Sequence, residues 1–204
     1  MSSLQQQESL LARRLMEGDE GAFDDFVALF RPRIFHYAIM MCGQRDDAEE
    51  VTQDALMRIF ESFGQLREPE HVRAWAFRIA RNACYMKRRR SVFAPREELS
   101  LDSLMPVWRE AGDRRELEIA DWSALPEELA SRGEWSGLVN QAVSELPDIY
   151  RAVILLRDIE ELSTAETAEI LDVGEDVVKT RLHRARLAVR QKLDRHLRSA
   201  RSVA

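Results

Sequence analysis

Between Leu162 and Lys192 two helix-length pieces are separated by only three residues, Asp172-Val173-Gly174, and this spacing constrains the chain more than any other feature. Ser163 is a good N-cap residue for the first piece, and Glu166 stands three positions on as its capping-box partner. The second piece runs from Glu175 to about Leu197. A short turn that holds a glycine and has an apolar residue in its middle is the helix-turn-helix pattern, although antiparallel helical hairpins share it. At about 100° per residue, Val178, Leu182, Ala185 and Val189 fall on one stripe, which predicts the buried face of the second helix. Asp176, Thr180, His183, Arg184 and Leu187 then face outward, with Lys179, Arg186 and Arg190 on one flank and Arg181 on the other. Short polar and forked cationic side chains hydrogen-bond base edges in the major groove, while flanking Lys and Arg neutralise phosphates and fix register. Asp176 is the awkward member, because a carboxylate there repels phosphate unless it accepts from a cytosine amino group.

The net charge of -6 is unsuited to a phosphate-rich partner until the distribution along the chain is considered. From Lys179 to Arg198 eight Lys or Arg stand against one acid, Asp194, whereas from Arg96 to Glu134 eleven acids stand against five arginines. The basic run is the footprint of a nucleic-acid surface. No stretch of about 18 apolar residues occurs, and the start MSSLQQQESLLARRL lacks the layout of a signal peptide, so a cytoplasmic protein without membrane insertion is expected. The two cysteines, Cys42 and Cys84, lack the paired spacing of a zinc site and read as small buried thiols in a reducing compartment. The histidines His36, His71, His183 and His196 are scattered, and there is no phosphate loop, HExxH pair or nucleophile elbow. No metal, cofactor or enzymatic activity is expected.

From Leu4 to about Arg90 apolar residues recur at helical spacing, broken at Glu17-Gly18-Asp19, at Cys42-Gly43-Gln44 and from Phe63-Gly64 to Pro69, which predicts four helices. The third, from Asp46 to Ser62, opens on carboxylates, which the helix dipole favours, and has an inward stripe of Val51, Ala55, Ile59 and Phe60. Its opposite face repeats Glu50, Gln53, Asp54, Met57 and Glu61, which pattern alone assigns to solvent. The fourth, from about Glu70 to Arg90, has Trp75, Ile79 and Ala83 on its core face and ends in Lys87-Arg88-Arg89-Arg90. Periodicity then fades and Pro95, Pro106 and Pro126 punctuate a linker of about forty residues. It resumes at Trp135, and no alternating strand pattern occurs. The expected fold is all-α, with two small helical domains at 1–92 and 135–204 joined by a largely irregular acidic linker at 93–134.

Four runs share one resemblance. EILDVGEDVVKTRLHRARLAVRQKL resembles the closing helix-turn-helix of bacterial extracytoplasmic-function (ECF) sigma factors of the sigma-70 family, and GDEGAFDDFVALF, DDAEEVTQDALMRIF and WAFRIARN resemble that family's first conserved domain in order and spacing. The domains would then be sigma region 2, a helical bundle, and sigma region 4. Three positions depart from the usual form: Asp172 replaces the turn glycine, Gly174 the N-cap serine and Val177 a threonine. Asp tolerates a left-handed turn, and Gly174 or Glu175 can begin the helix, so the fold should survive.

The resemblance implies a subunit that directs core RNA polymerase to promoters and starts transcription through -35 and -10 element recognition and -10 melting. Asp47, Glu50, Gln53 and Asp54 would dock on the clamp helices of the largest polymerase subunit, with the polymerase flap as a further contact. Leu66, Ile79, Ala80 and Asn82 match positions that form a pocket for a flipped base near -10, whose extrusion costs a few kcal/mol, and Lys87 and Arg88 would follow the backbone. Lys179, Thr180, His183 and Arg184 match the -35 reading positions, and Arg181 and Arg186 the phosphate contacts. Promoter DNA and core polymerase are the implied partners, with an anti-sigma factor as a further one. The linker would thread the polymerase cleft, either mimicking a nucleic-acid strand with its carboxylates or serving as a solvated tether. An autonomous helix-turn-helix regulator that binds operator DNA as a dimer is the alternative, against which the acidic docking helix and the two-domain layout argue.

Overall fold

The computed structural model describes residues 3–19, 21–90 and 132–201. Eight α-helices and no strand occur among these residues. Helices α1 (Ser3–Met16), α2 (Gly21–Cys42), α3 (Arg45–Ser62) and α4 (Val72–Arg90) form an N-terminal bundle. Helices α5 (Arg132–Ser144), α6 (Asp148–Ile154), α7 (Thr164–Leu171) and α8 (Glu175–Arg201) form a C-terminal one. Most of the expected linker, residues 93–131, lies outside the described residues, and α5 begins three positions before the expected start at Trp135.

Local chemistry sets the boundaries of the first bundle. Gly18 turns the chain at φ +86°, and Asp19 starts α2 by accepting from Gly21 N–H through its carboxylate (3.0 Å) and from Ala22 N–H through its carbonyl (3.1 Å). Arg14 pairs with Asp19 and Asp25 at 2.8 and 3.0 Å, fixing the end of α1 against the start of α2. Gly43, at φ +78°, closes α2 in the left-handed conformation that glycine adopts without steric cost, its N–H bonded to Ile39 O at 2.9 Å. The buried positions of α2, Ala22, Phe26, Phe30, Ile34, Tyr37, Ala38 and Met41, recur every three or four residues and meet Val51, Ala55 and Ile59 of α3 and Phe77 and Ala80 of α4. Phe26 stacks on Phe30 (4.2 Å between centroids), and Tyr37 meets Phe77 edge-on (5.8 Å). Each large side chain buried in this way stabilises the fold by roughly 1.5–3 kcal/mol.

Two expectations for this bundle are corrected. Phe60 is not part of the inward stripe of α3: it is 59% exposed and rests edge-on against Phe23 at 4.8 Å. Three residues past Met57 it falls on the outer side of the helix, and Phe23 rather than the core gives its ring a partner. Helix α4 starts at Val72, not Glu70, because Pro69–His71 forms a separate 3-10 turn with Pro69 at its start, where a missing N–H costs nothing.

In the second bundle Pro147 leads into α6, and at Leu155–Ile159 the helix widens into a π-turn, with Glu160 N–H bonded to Leu155 O (2.9 Å) and Leu162 N–H to Leu156 O (3.0 Å). Glu161 follows in the left-handed region (φ +54°). The two bundles are in contact, and one continuous buried cluster runs through both. Helix α7 lies on α4, and Arg78 of α4 pairs with Glu169 of α7 at 2.7 Å. Arg151 of α6 donates to the carbonyl of Met40 in α2 at 2.7 Å, and Arg88 of α4 pairs with Asp148 of α6.

Candidate DNA and polymerase interfaces

The helix-turn-helix is built as its sequence requires. Ser163 Oγ accepts from Glu166 N–H at 3.1 Å and the Glu166 carboxylate accepts from Ser163 N–H at 2.7 Å, so both halves of the capping box are formed. Asp172 takes the left-handed turn position (φ 56°, ψ 50°), and Val173 N–H reaches back to Ala168 O at 3.1 Å. Gly174 lacks a positive φ; its carbonyl accepts from Val177 and Val178 N–H at 3.0 and 3.1 Å, which makes it the first turn's anchor for α8. Val178, Leu182, Ala185 and Val189 are buried, as the angular arithmetic predicts, and Leu193 extends the stripe.

The outward face of α8 is open. Thr180, His183 and Arg184 are exposed, and so is Lys179, which pairs with Asp176 at 3.1 Å. Thr180 Oγ1 donates to Asp176 O at 2.8 Å. The flanks are engaged within the chain. Arg186 closes on Asp158 with Nε at 2.8 Å and Nη2 at 2.6 Å. Arg181, half-buried, borders a groove of about 320 Å³ shared with Arg81, Tyr85, Arg88 and Arg89 of α4.

On α3 the face that carries Glu50, Gln53, Asp54 and Met57 is exposed, and Asp47 is half-buried. Lys87 of α4 sits 3.1 Å from Asp47 and 2.5 Å from Glu50, and its ammonium is held above the usual lysine range first by Glu50 and then by Asp47. Asp54 pairs with Arg58 one turn on at 3.0 Å. The four residues matched to a base pocket do not share one open surface. Ala80 has no exposed area, Leu66 is 6% exposed, Ile79 packs half-buried against the core, and Asn82 is exposed and accepts from Arg81 at 3.1 Å. Leu66 lines a cleft of about 380 Å³ with Arg67, Trp75 and Arg78 on one side and Glu169 and Ile170 of α7 on the other.

Comparison with known proteins assigns both bundles. Residues 26–92 match the model for Sigma-70 region 2, and residues 136–189 that for Sigma-70, region 4. The chain is 32% identical over 181 residues to the ECF RNA polymerase sigma factor SigW of Bacillus subtilis (strain 168), covering 89% of this chain and 94% of SigW. The chain belongs to the ECF sigma factors of the sigma-70 family. It is also 26% identical over 196 residues to the RNA polymerase sigma-H factor of Pseudomonas aeruginosa, covering 96% of this chain and 98% of that one. Among solved structures, CnrH in complex with the cytosolic domain of CnrY has a similar fold, with TM-score 0.59 and 23% identity over 92% of this chain and 97% of CnrH. The sigma factor RpoE of Bartonella quintana, in complex with the anti-sigma factor NepR, gives TM-score 0.58 and 23% identity over 84% and 96%.

An ECF sigma factor recognises promoters with RNA polymerase and initiates transcription, and this chain does so with two all-α domains. Among the described residues no group of His, Cys, Asp or Glu is arranged to hold a metal ion, and no helix is long and apolar enough to cross a membrane. Cys84 is buried and Cys42 half-buried, and both are free thiols.

The sigma factor also contains a charged cluster that sequence reading missed. Glu8 of α1, Arg33 of α2, Arg73 of α4 and Glu160, just after the π-turn, meet in the interior between the bundles. Arg73 grips Glu8 at 2.6 and 2.7 Å and donates to Glu160 O at 3.0 Å. Arg33 pairs with both carboxylates, with Nε 2.9 Å from Glu160. The signal was present: Glu8, Arg33 and Arg73 interrupt otherwise apolar faces of α1, α2 and α4, and buried charges are normally paired.

Proposed function

We propose that this sigma factor holds its promoter at two points, with α8 in the major groove of the -35 element and the Leu66–Arg90 segment opening and reading the -10 element. The supporting observation is the outer face of α8, where Thr180, His183 and Arg184 stand exposed on a helix anchored by a complete capping box and a buried apolar stripe. Those three side chains and Lys179 read base edges, while Arg181 and Arg186 contact phosphates. Asn82 contacts a flipped base on the α4 surface that the half-buried Ile79 and the buried Ala80 support from within, Leu66 lines the neighbouring cleft, and Lys87 and Arg88 track the strand. Asp47, Glu50, Gln53 and Asp54 dock on the clamp helices of the largest polymerase subunit. Charges at such a wet rim steer encounter and orientation more than they add affinity.

In this reading residues 1–92 and 135–204 are separate working units joined by the acidic stretch 93–134. The protein acts in the cytoplasm as a dissociable polymerase subunit and catalyses no reaction itself. RpoE and CnrH are bound by NepR and CnrY, and an anti-sigma factor is proposed as a partner here by the same likeness. The test combines the purified chain with core polymerase and a promoter library and scores open complexes and transcripts. An autonomous regulator would instead shift duplex DNA alone and initiate nothing.

A further inference from the structure

Four of the cations assigned above to DNA, Lys87, Arg88, Lys179 and Arg186, are paired with the chain's own carboxylates. Arg88 is held by Asp148, Arg186 by Asp158 and Lys87 by Asp47 and Glu50. Two of these acids, Asp148 and Asp158, lie at the two ends of the α6 and π-turn segment. Glu160 immediately follows that segment, and it is the point at which the C-terminal bundle enters the N-terminal one.

Glu160 is 3% exposed although it belongs to a connection between helices. The π-turn before it and the left-handed Glu161 after it redirect the chain so that the Glu160 side chain points into the N-terminal bundle. It is received by Arg33 from α2, and its carbonyl by Arg73 from α4. Beside it, Arg78 meets Glu169 and α7 covers one wall of the cleft that contains Leu66. With the C-terminal bundle in this position, a strand cannot enter the cleft between Leu66 and Arg78 without displacing α7.

We propose that Glu160 is the tongue of an internal latch that holds the sigma factor closed, with α7 over the -10 reading face, and that promoter engagement requires its withdrawal. The inference rests on the functional reading given above for α4.

The network is built to release. Two arginines and two carboxylates balance in charge, but removing such groups from water costs nearly as much as their pairing returns, so an apolar contact of the same size would close the chain more firmly. Burial pushes the Glu160 carboxyl above the usual carboxylate range, and the attraction of Arg33 only partly offsets it. When Glu160 leaves, Arg73 and Glu8 keep each other, because both belong to the N-terminal bundle. Arg33 keeps its contact with Glu8. Opening therefore leaves Arg33 and Arg73 sharing the Glu8 carboxylate at a site that water can then enter, and Glu160 itself returns to water.

Small-angle X-ray scattering of the full chain, without polymerase, reports closure directly. The wild type should scatter as a compact particle, and Glu160→Gln should increase the radius of gyration while leaving the helical circular dichroism unchanged. Glu169→Lys, at an exposed position where it would face Arg78, should act in the same direction without touching the buried cluster. Both variants should tighten apparent affinity for core polymerase by about tenfold, since a partner that selects the open form gains whatever fraction closure withheld. A short bismaleimide joining Arg78→Cys to Glu169→Cys, in a chain with both native cysteines replaced by serine, should abolish open-complex formation, and cleaving a reducible linker should restore it. An expanded wild type, or variants with wild-type scattering, would overturn the latch whatever polymerase does. Variants that expand but fail to form open complexes anywhere on a promoter library would leave the latch standing and count against the functional reading of α4.

Discussion

Arg186 of α8 and Asp158 of the π-turn form a bidentate pair, with Nε and Nη2 of the guanidinium at 2.8 and 2.6 Å from the two carboxylate oxygens. The pair raises the Arg186 pKa, first through its hydrogen bond to Asp158, and it ties the back of the reading helix to the segment that carries Glu160. A guanidinium held this way must exchange one anion for another before it can contact a phosphate.

Removing the carboxylate should therefore make that exchange unnecessary. Asp158→Asn is expected to tighten binding of -35 duplex DNA several-fold at low salt. It should also steepen the dependence of log K on log salt by about one unit, as one more cation displaces counterions. Fluorescence anisotropy across a potassium chloride series measures both, and an unchanged slope would mean that Arg186 never reaches the backbone.

For the acidic face of α3, reversal of Glu50 and Asp54 to Lys should abolish capture of core polymerase. Both side chains are exposed and their pairs with Lys87 and Arg58 are surface pairs, so the folding cost should stay within about 1 kcal/mol for each. Thermal unfolding and a core pull-down separate the two effects; retained capture would remove these residues from the interface.

Reading and positioning residues on α8 should differ in kind. Arg184→Ala is expected to cost about 1 to 3 kcal/mol on the preferred site and to relax specificity at one base pair. Arg181→Ala should weaken binding to all sequences alike. Affinities measured over every single-base variant of a -35 site make the comparison, and a uniform loss for Arg184→Ala would reassign it to phosphate.

The capping box makes a prediction about stability. Ser163→Ala leaves Glu166 N–H without its acceptor at the start of α7 and should destabilise the protein by about 1 kcal/mol. Urea unfolding checks it. Ser163→Asp should retain most of the stability, since a carboxylate can cap the same N–H.

What could be read from the sequence was local. The stripe Val178, Leu182, Ala185 and Val189 and the cap at Ser163 depend on residues within one or two turns of each other, and all stand where the spacing put them. Asp172 in a left-handed turn was legible for the same reason. Phe60 was misplaced because its partner, Phe23, lies on another helix, where periodicity within α3 says nothing. The latch was missed more completely. Glu8 and Arg73 are 65 positions apart on two helices of one bundle, and Arg33 and Glu160 are 127 apart across the two bundles, so their meeting depends on how helices and bundles pack. Leu66, Ile79, Ala80 and Asn82, matched as one pocket, differ in exposure because burial of Ala80 is set by α2 and α3 rather than by its own neighbours.

Lys87, held between Asp47 and Glu50, has a thermodynamic consequence under the roles proposed for these residues. If polymerase takes the two carboxylates, the ammonium is left free for a phosphate; if a phosphate takes the ammonium, the carboxylates are left free for polymerase. The two ligands compete with the same internal bonds, so each lowers the cost of binding the other, and linkage requires the gain to be equal in both directions. A promoter fragment that reaches Lys87 should therefore slow dissociation of the sigma factor from core polymerase.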